Sequence, residues 1–167
     1  PEIVAPVPPM LAGVPVGRGV LFAKAVTQVL ALTRDGRTLF SCYDDKTIHR
    51  WDTETGLLIG APMQWHNSSV LALALTQLPD GTVVLYSGDD DGLIRRWNAQ
   101  TGAPIGEPMQ GHADGIFALA ATKLPNGTAV LYSGGADNTI RRWNAQTGMP
   151  IGEPMQGHTG SILALAV

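Results

Sequence analysis

The sequence predicts an all-β protein built from repeated four-stranded antiparallel sheets, and three observations carry that prediction. Trp51, Trp97 and Trp143 recur at a spacing of 46 residues, as do Gln64, Gln110 and Gln156, so the period runs through the chain. Each period holds four short strand-like runs separated by turn signals, and no stretch shows the apolar spacing of an amphipathic helix. The fourth run of each period carries prolines, which cannot donate to a ladder and so belong at a sheet edge.

The elements follow in order. Residues 70–75 are continuously apolar, as a strand buried on both faces should be, and Asp80-Gly81 then supplies a hairpin turn. This is the innermost strand of its sheet. A second strand follows over 82–87, a tight turn over 88–91 and a third strand over 93–97; the next copy repeats the plan with Asn126-Gly127, 128–133 and 139–143. The fourth run, 104–109, follows a turn at Thr101-Gly102 and carries Pro104 and Pro108, which places it outermost. Apolar strands inside and proline-bearing strands at the rim fit sheets set radially about an axis, as in a β-propeller; a flat sandwich is the alternative. Copies 64–109 and 110–155 are identical at 31 of 46 positions, which indicates duplication of one unit. A more divergent copy spans about 26–63, and another starts at 156 and runs to 167.

Trp51-Asp52 closes a third strand, and Gly111-His112 and Gly157-His158 precede innermost strands. With these motifs residues 13–167 resemble the WD-repeat family, in the style of bacterial tandem repeats with Thr-Gly-x-Pro-Ile-Gly-Glu-Pro-Met linkers. The resemblance implies a hydrogen-bonded set of four residues per blade. The matching positions are His66, Ser87, Asp91 and Trp97 in one blade and His112, Ser133, Asp137 and Trp143 in the next. The chemistry is reasonable in its own right, since a carboxylate, an imidazole, a hydroxyl and an indole N–H can satisfy one another when buried. Asn98 and Asn144 replace the signature Asp, and Trp65 replaces the Gly before His66. The first copy has Ser41, Asp45 and Trp51 but only Ala23 near the His position, so its network should be incomplete and its blade the weakest.

The segment 11–17 resembles the outer-strand segment 101–106, so the chain reads as an outer strand, three blades and one inner strand, with residues 1–12 a Pro-rich linker or tail. Three blades are fewer than a ring needs. The expectation is a fragment of a larger propeller, or a protomer completed by further copies of itself. A net charge of −3 leaves no electrostatic footprint for nucleic acid or an anionic membrane, and the apolar runs are too short to span a bilayer as helices. A single cysteine, Cys42, excludes an intramolecular disulfide and leans toward a cytoplasmic setting.

Other candidate chemistry yields to structural readings. His66, His112 and His158 fall one per blade, far from metal-site spacing, and His49 reads as an exposed strand residue. The run 89–92 (Asp-Asp-Asp-Gly) lacks the distal ligands of a calcium loop, and the next copy keeps only Asp137 there, so it reads as an acidic turn. Arg95-Arg96 and Arg141-Arg142 point to opposite faces, and Arg50, Arg96 and Arg142 should lay their stems on a neighbouring blade. Ser133, His112 and Asp137 share the residue types of a catalytic triad, but the structural network accounts for them. No catalytic residue, metal or cofactor is expected.

Function then rests on surfaces. The resemblance places partner contacts just after the His and just before the turn Asp: Asn67, Ser69, Asp90, Ala113, Gly115, Ala136, Thr159 and Ser161, with Asp44 in the first copy. The expected function is a protein-interaction scaffold whose partners are other proteins or peptides. The alternative is a lectin-like binder of carbohydrate or another small ligand, one pocket per repeat. That would need an exposed aromatic in every copy, and only Trp65 is left unassigned.

Overall fold

Why the repeats become sheets is visible strand by strand in the computed structural model, which describes residues 29–42 and 45–166. The alternation of β-branched and aromatic residues with short polar turns gives eleven strands among the described residues. The first sheet is β1 (Val29–Leu32), β2 (Thr38–Cys42), β3 (Thr47–Asp52) and β4 (Met63–Gln64). The second is β5 (Val70–Gln77), β6 (Val83–Asp89), β7 (Leu93–Asn98) and β8 (Met109–Gln110), and the third is β9 (Ile116–Lys123), β10 (Ala129–Gly135) and β11 (Ile140–Asn144). In each sheet the strands pair antiparallel in chain order. No helix occurs among the described residues.

The outermost strands are shorter than the run 104–109 suggested. Of that run, only a bridge at Trp97–Pro104 and the two-residue β8 pair with β7, and the outermost run of the third sheet makes only bridges at Trp143–Pro150 and Ile140–Met155. Pro104 and Pro108 have no N–H to give, and Gly106 between them takes a φ of +62°, so the chain leaves the ladder and returns to it. The expected linker 1–12, the outer-strand segment 11–17 and the start of the first copy lie outside the described residues. Residues 161–166 at the start of the last copy form no ladder.

The turn after each third strand explains why Asn can stand where the motif has Asp. Asp52 Oδ1 accepts the N–H groups of Glu54 and Thr55 at 3.1 and 2.8 Å; Asn98 Oδ1 accepts those of Gln100 and Thr101 at 3.0 and 2.9 Å. Asn144 does the same for Gln146 and Thr147. Only an oxygen at that position is required. Asn98→Asp should therefore leave stability unchanged, while Asn98→Ala should lower it by about 1 kcal/mol in urea titration. Equal loss from both substitutions would contradict this account of the turn.

The apolar core lies between the sheets. One cluster joins Phe40, Cys42, Ile48 and Met63 of the first sheet to Val70, Leu73, Leu85, Trp97 and Ala99 of the second and the turn after it. The other joins Ala74, Val84, Tyr86, Ile94 and Met109 to Ile116, Ala129, Leu131, Trp143 and Ala145 of the third. The two interfaces are packed differently at one point. A Cβ on Gly88 would sit 2.7 Å from Ile116 Cγ2, so the large Ile is accommodated by the missing side chain. At the equivalent place in the first interface Cys42 faces Val70, its thiol donating to the Val70 carbonyl at 3.4 Å. A larger side chain on one strand is matched by a smaller one on the other.

Candidate functional site

The second and third repeats each thread four polar side chains through their apolar packing. In the second blade the Trp97 indole N–H donates to Ser87 Oγ at 2.8 Å, and Ser87 Oγ lies 2.6 Å from His66 Nε2. His66 Nδ1 lies 2.8 Å from Asp89 Oδ2. In the third, Trp143 donates to Ser133 Oγ at 2.8 Å, Ser133 Oγ lies 2.7 Å from His112 Nε2, and His112 Nδ1 is 3.0 Å from Asp137. A carboxylate can only accept, so Nδ1 carries the proton; the serine, receiving the indole N–H, turns its own proton to Nε2. The neutral imidazole with its proton on Nδ1 satisfies every group in the chain of bonds, whereas a protonated ring would leave the serine hydroxyl without an acceptor.

One member of the second set differs from expectation. The carboxylate is that of Asp89 and not Asp91. Asp89 ends β6, is fully buried and also accepts the N–H groups of Leu93 and Asp91 at 2.9 and 3.2 Å, while Asp91 is exposed in the turn. In the third copy the position of Asp89 is Gly135, where a Cβ would meet His112 Nδ1 at 2.9 Å. There the turn residue Asp137 reaches in, accepting also from the N–H groups of Ala113 and Thr139 and the Thr139 hydroxyl. The sequence offers both carboxylates in copy two; strand-end burial selects between them.

The first blade is built otherwise. Trp51 donates to Ser41 Oγ at 2.8 Å, and Asp45 accepts from the Thr47 N–H and hydroxyl. His49, expected to be exposed, is half-buried, its Nε2 3.1 Å from Thr47 Oγ1 and 3.8 Å from Asp45. Ala23 lies outside the described residues. Trp65, unassigned in the sequence, packs edge-on to Trp97 with the Arg95 guanidinium 5.2 Å over its ring. Its counterparts are Gly111 and Gly157, so the aromatic is not repeated.

Burial sets the titration of the third blade's pair. It holds the His112 imidazole below its ordinary value of 6.5, with Asp137 pulling the other way. Burial would raise the Asp137 carboxyl, but the N–H of Ala113, the His112 ring and Thr139 outweigh it and bring the group to about 2. Both depressed values act in one direction. The unfolded chain takes up protons more readily, so stability is full above pH 6.5, falls as His112 is driven toward protonation below that, and falls again between 3.8 and about 2 as Asp137 is protonated. Urea midpoints measured across this range should decline on acidification, and a rise between pH 6.5 and 5 would contradict the neutral-imidazole assignment.

Chemically, the site holds and does not expose. Ser87 and Ser133 are fully buried and each already accepts an indole N–H. Among the described residues no three His, Cys, Asp or Glu side chains converge as metal ligands would. The face expected to meet partners carries Asn67, Asp90, Ala113, Thr159 and Ser161 exposed and Ser69 and Ala136 half-buried. Gly115 is a correction: it is buried, because Asp90 folds over it, with Oδ1 3.0 Å from where its Cβ would be. Asp44 lies outside the described residues. Two contacts on this face and at the rim escaped sequence reading, the Lys46 ammonium donating to the Asn67 carbonyl at 2.7 Å and the Arg95–Trp65 stack.

Comparison with known proteins agrees with this geometry. Residues 22–52, 61–98 and 102–144 match the family described as WD domain, G-beta repeat. No curated protein matches the sequence. Among solved structures, the chain is 29% identical to "Structure of U3-55K", with a TM-score of 0.72, covering 87% of this chain and 44% of that one. It is 30% identical to "Crystal structure of RRP9 WD40 repeats", with a TM-score of 0.72, covering 87% of this chain and 43% of that one. The chain thus spans less than half the length of both. A computationally designed protein, Ika4, is 29% identical with a TM-score of 0.70, covering 91% of this chain and 88% of that one.

Proposed function

This chain belongs to the WD40 family, and from that premise we propose that it is a non-enzymatic protein-interaction module, part of a propeller larger than three blades, that holds protein or peptide partners on its loop face. The observation that carries the reading is the burial of the relay: the residues with nucleophilic and acid–base chemistry are enclosed and mutually bonded, while the exposed loop face offers small and polar side chains. Rigid loops of this kind suit contacts spread over several blades, each weak and together strong. A structure of the mitotic checkpoint complex, a protein assembly, is among the neighbours at 25% identity and a TM-score of 0.69, which supports protein partners. Trp65 argues against a pocket per repeat, since its counterparts in the following copies are Gly111 and Gly157 and the exposed aromatic is not repeated. We place the module in the cytoplasm, where the buried Cys42 thiol stays reduced.

The test is capture of partner proteins by the full chain and by a loop-face variant carrying Asn67→Arg, Asp90→Arg and Ala113→Arg, with melting followed in parallel. The proposal expects the variant to lose the partners and keep its melting temperature. Retention of every partner by a folded variant would place binding elsewhere and overturn it.

A further inference from the structure

Two residues at the junction of the first and second blades depart from the repeat. Trp65 stands where the later copies have Gly111 and Gly157, and Lys46 where they have Gly92 and Asn138. Each is kept at a cost. Trp65 leaves 45% of its surface in water. Lys46 takes a φ of +66°, a left-handed conformation that Gly and Asn adopt far more readily than Lys. The third blade is built without either residue.

Both departures stand beside unneutralised positive charge. Arg95, whose guanidinium lies 5.2 Å over the Trp65 ring, is only 7% exposed. Its Nε is enclosed without a hydrogen-bond partner, and none of its nitrogens donates to a described residue. The arginines that join the blades differ in this respect, Arg50 donating to the Gln100 carbonyl at 2.6 Å and Arg96 to the Gln146 carbonyl at 2.7 Å. Lys46 is exposed; its ammonium donates to the Asn67 carbonyl at 2.7 Å and keeps its other protons for a second acceptor. One cation therefore stands at each end of the segment 65–67. Among the described residues no carboxylate lies within 4 Å of either cation. Asp45 is engaged by the Thr47 N–H and hydroxyl, and Asp89 by His66. A guanidinium withdrawn from water without an anion costs free energy that an incoming carboxylate would return.

We infer that the segment 65–67 is a docking point for an acidic, extended stretch of a partner protein. One carboxylate of that stretch accepts from Arg95 while its stem or an adjoining apolar side chain covers the Trp65 ring, and a second carboxylate accepts from Lys46. Two single cations set apart from each other suit two carboxylates of a peptide, whereas a phosphate dianion is held by donors that converge on one point. A tryptophan stacked on a desolvated arginine is also the kind of pair that anchors protein interfaces. The inference rests on the proposed interaction role and gives the partner's chemistry where it crosses the first two blades.

The probe is a fluorescein-labelled peptide repeating glutamate-glutamate-leucine, followed by anisotropy on the full chain against the same peptide with glutamine for glutamate. The glutamate peptide should bind more tightly by about ten-fold. Arg95→Gln and Trp65→Gly should each weaken its binding by about ten-fold, and Lys46→Asn by a few-fold. Trp65→Gly and Lys46→Asn carry residues that other copies have at these positions, and melting curves establish that each variant is folded; Arg95→Met takes the place of Arg95→Gln should that one fail to fold. Inorganic phosphate should displace the peptide no better than chloride at the same ionic strength. Equal binding of the two peptides, unchanged binding in any folded variant, or displacement by phosphate beyond that by chloride would overturn the inference. The loop-face variant keeps Trp65, Arg95 and Lys46, so failure of the probe to bind leaves the partner-capture result standing, and the reverse.

Discussion

Replacing Asp89 with Ala should lower stability by about 3 kcal/mol, while replacing Asp91 with Ala should change it by less than about 0.5 kcal/mol. Asp89 is fully buried, and its carboxylate accepts from His66 and from the N–H groups of Leu93 and Asp91. Its removal strands a buried imidazole N–H and two turn amides together, and hydrogen bonds to a charged group contribute more than neutral ones. Asp91 is exposed and supplies only its backbone to this network. The third blade should reverse the positions, because Asp137 occupies the place of Asp91 and bonds His112 from the turn. Asp137→Ala should therefore be as damaging as Asp89→Ala. Urea unfolding of the three variants decides the matter, and an Asp91→Ala loss equal to that of Asp89→Ala would return the relay to the position read from sequence.

The second large effect concerns packing between blades. Gly88→Cys should cost about 2 kcal/mol, because the new Cβ meets Ile116 Cγ2 at 2.7 Å and its Cβ at 3.0 Å within a core that has little room to move. Ile116→Val alone should cost about 1 kcal/mol through the lost methyl group. Made together, the two recreate the Cys42–Val70 pairing of the first interface, where the shorter Val accepts a side chain on the facing strand. The double variant should recover at least half of the Gly88→Cys loss, a favourable coupling in a double-mutant cycle. Strict additivity would mean that the Cys/Val and Gly/Ile pairs are not alternative solutions to one packing problem.

What the sequence made legible was whatever repeats. The period of the tryptophans, the Asp-Gly and Asn-Gly turns and the placement of prolines at the rim lead to antiparallel sheets in chain order. Ser87, Ser133, His66 and His112 meet at hydrogen-bonding distance because they recur at positions whose side chains must be buried. Where the copies differ, the reading lost its footing. Asp89 and Asp91 are chemically equal in sequence, and only the end of β6 decides which is enclosed. Gly115 looks like surface until Asp90 folds over it. The outer run breaks at the same place in every sheet, with Leu58 as with Pro104, because the glycine two residues on, Gly60, Gly106 or Gly152, takes a positive φ that leaves the ladder. Arg50 and Arg96 lie on the neighbouring blade as expected, while Arg142 is exposed; which atoms receive the first two, the Gln100 and Gln146 carbonyls, leaves no local pattern.

The claim on which the rest depends is that buried relays fix the blades and leave function to their surfaces. Hydrogen exchange of the four indole N–H groups, followed by NMR, tests it most directly. Trp97 and Trp143, each 1% exposed and donating to a buried serine, should exchange only when the protein opens widely. Trp51, half-buried in a blade without a relay histidine among the described residues, should exchange sooner, and the exposed Trp65 soonest. If the indoles of Trp97 and Trp143 exchange as fast as that of Trp65, the relays do not hold the blades and the account fails.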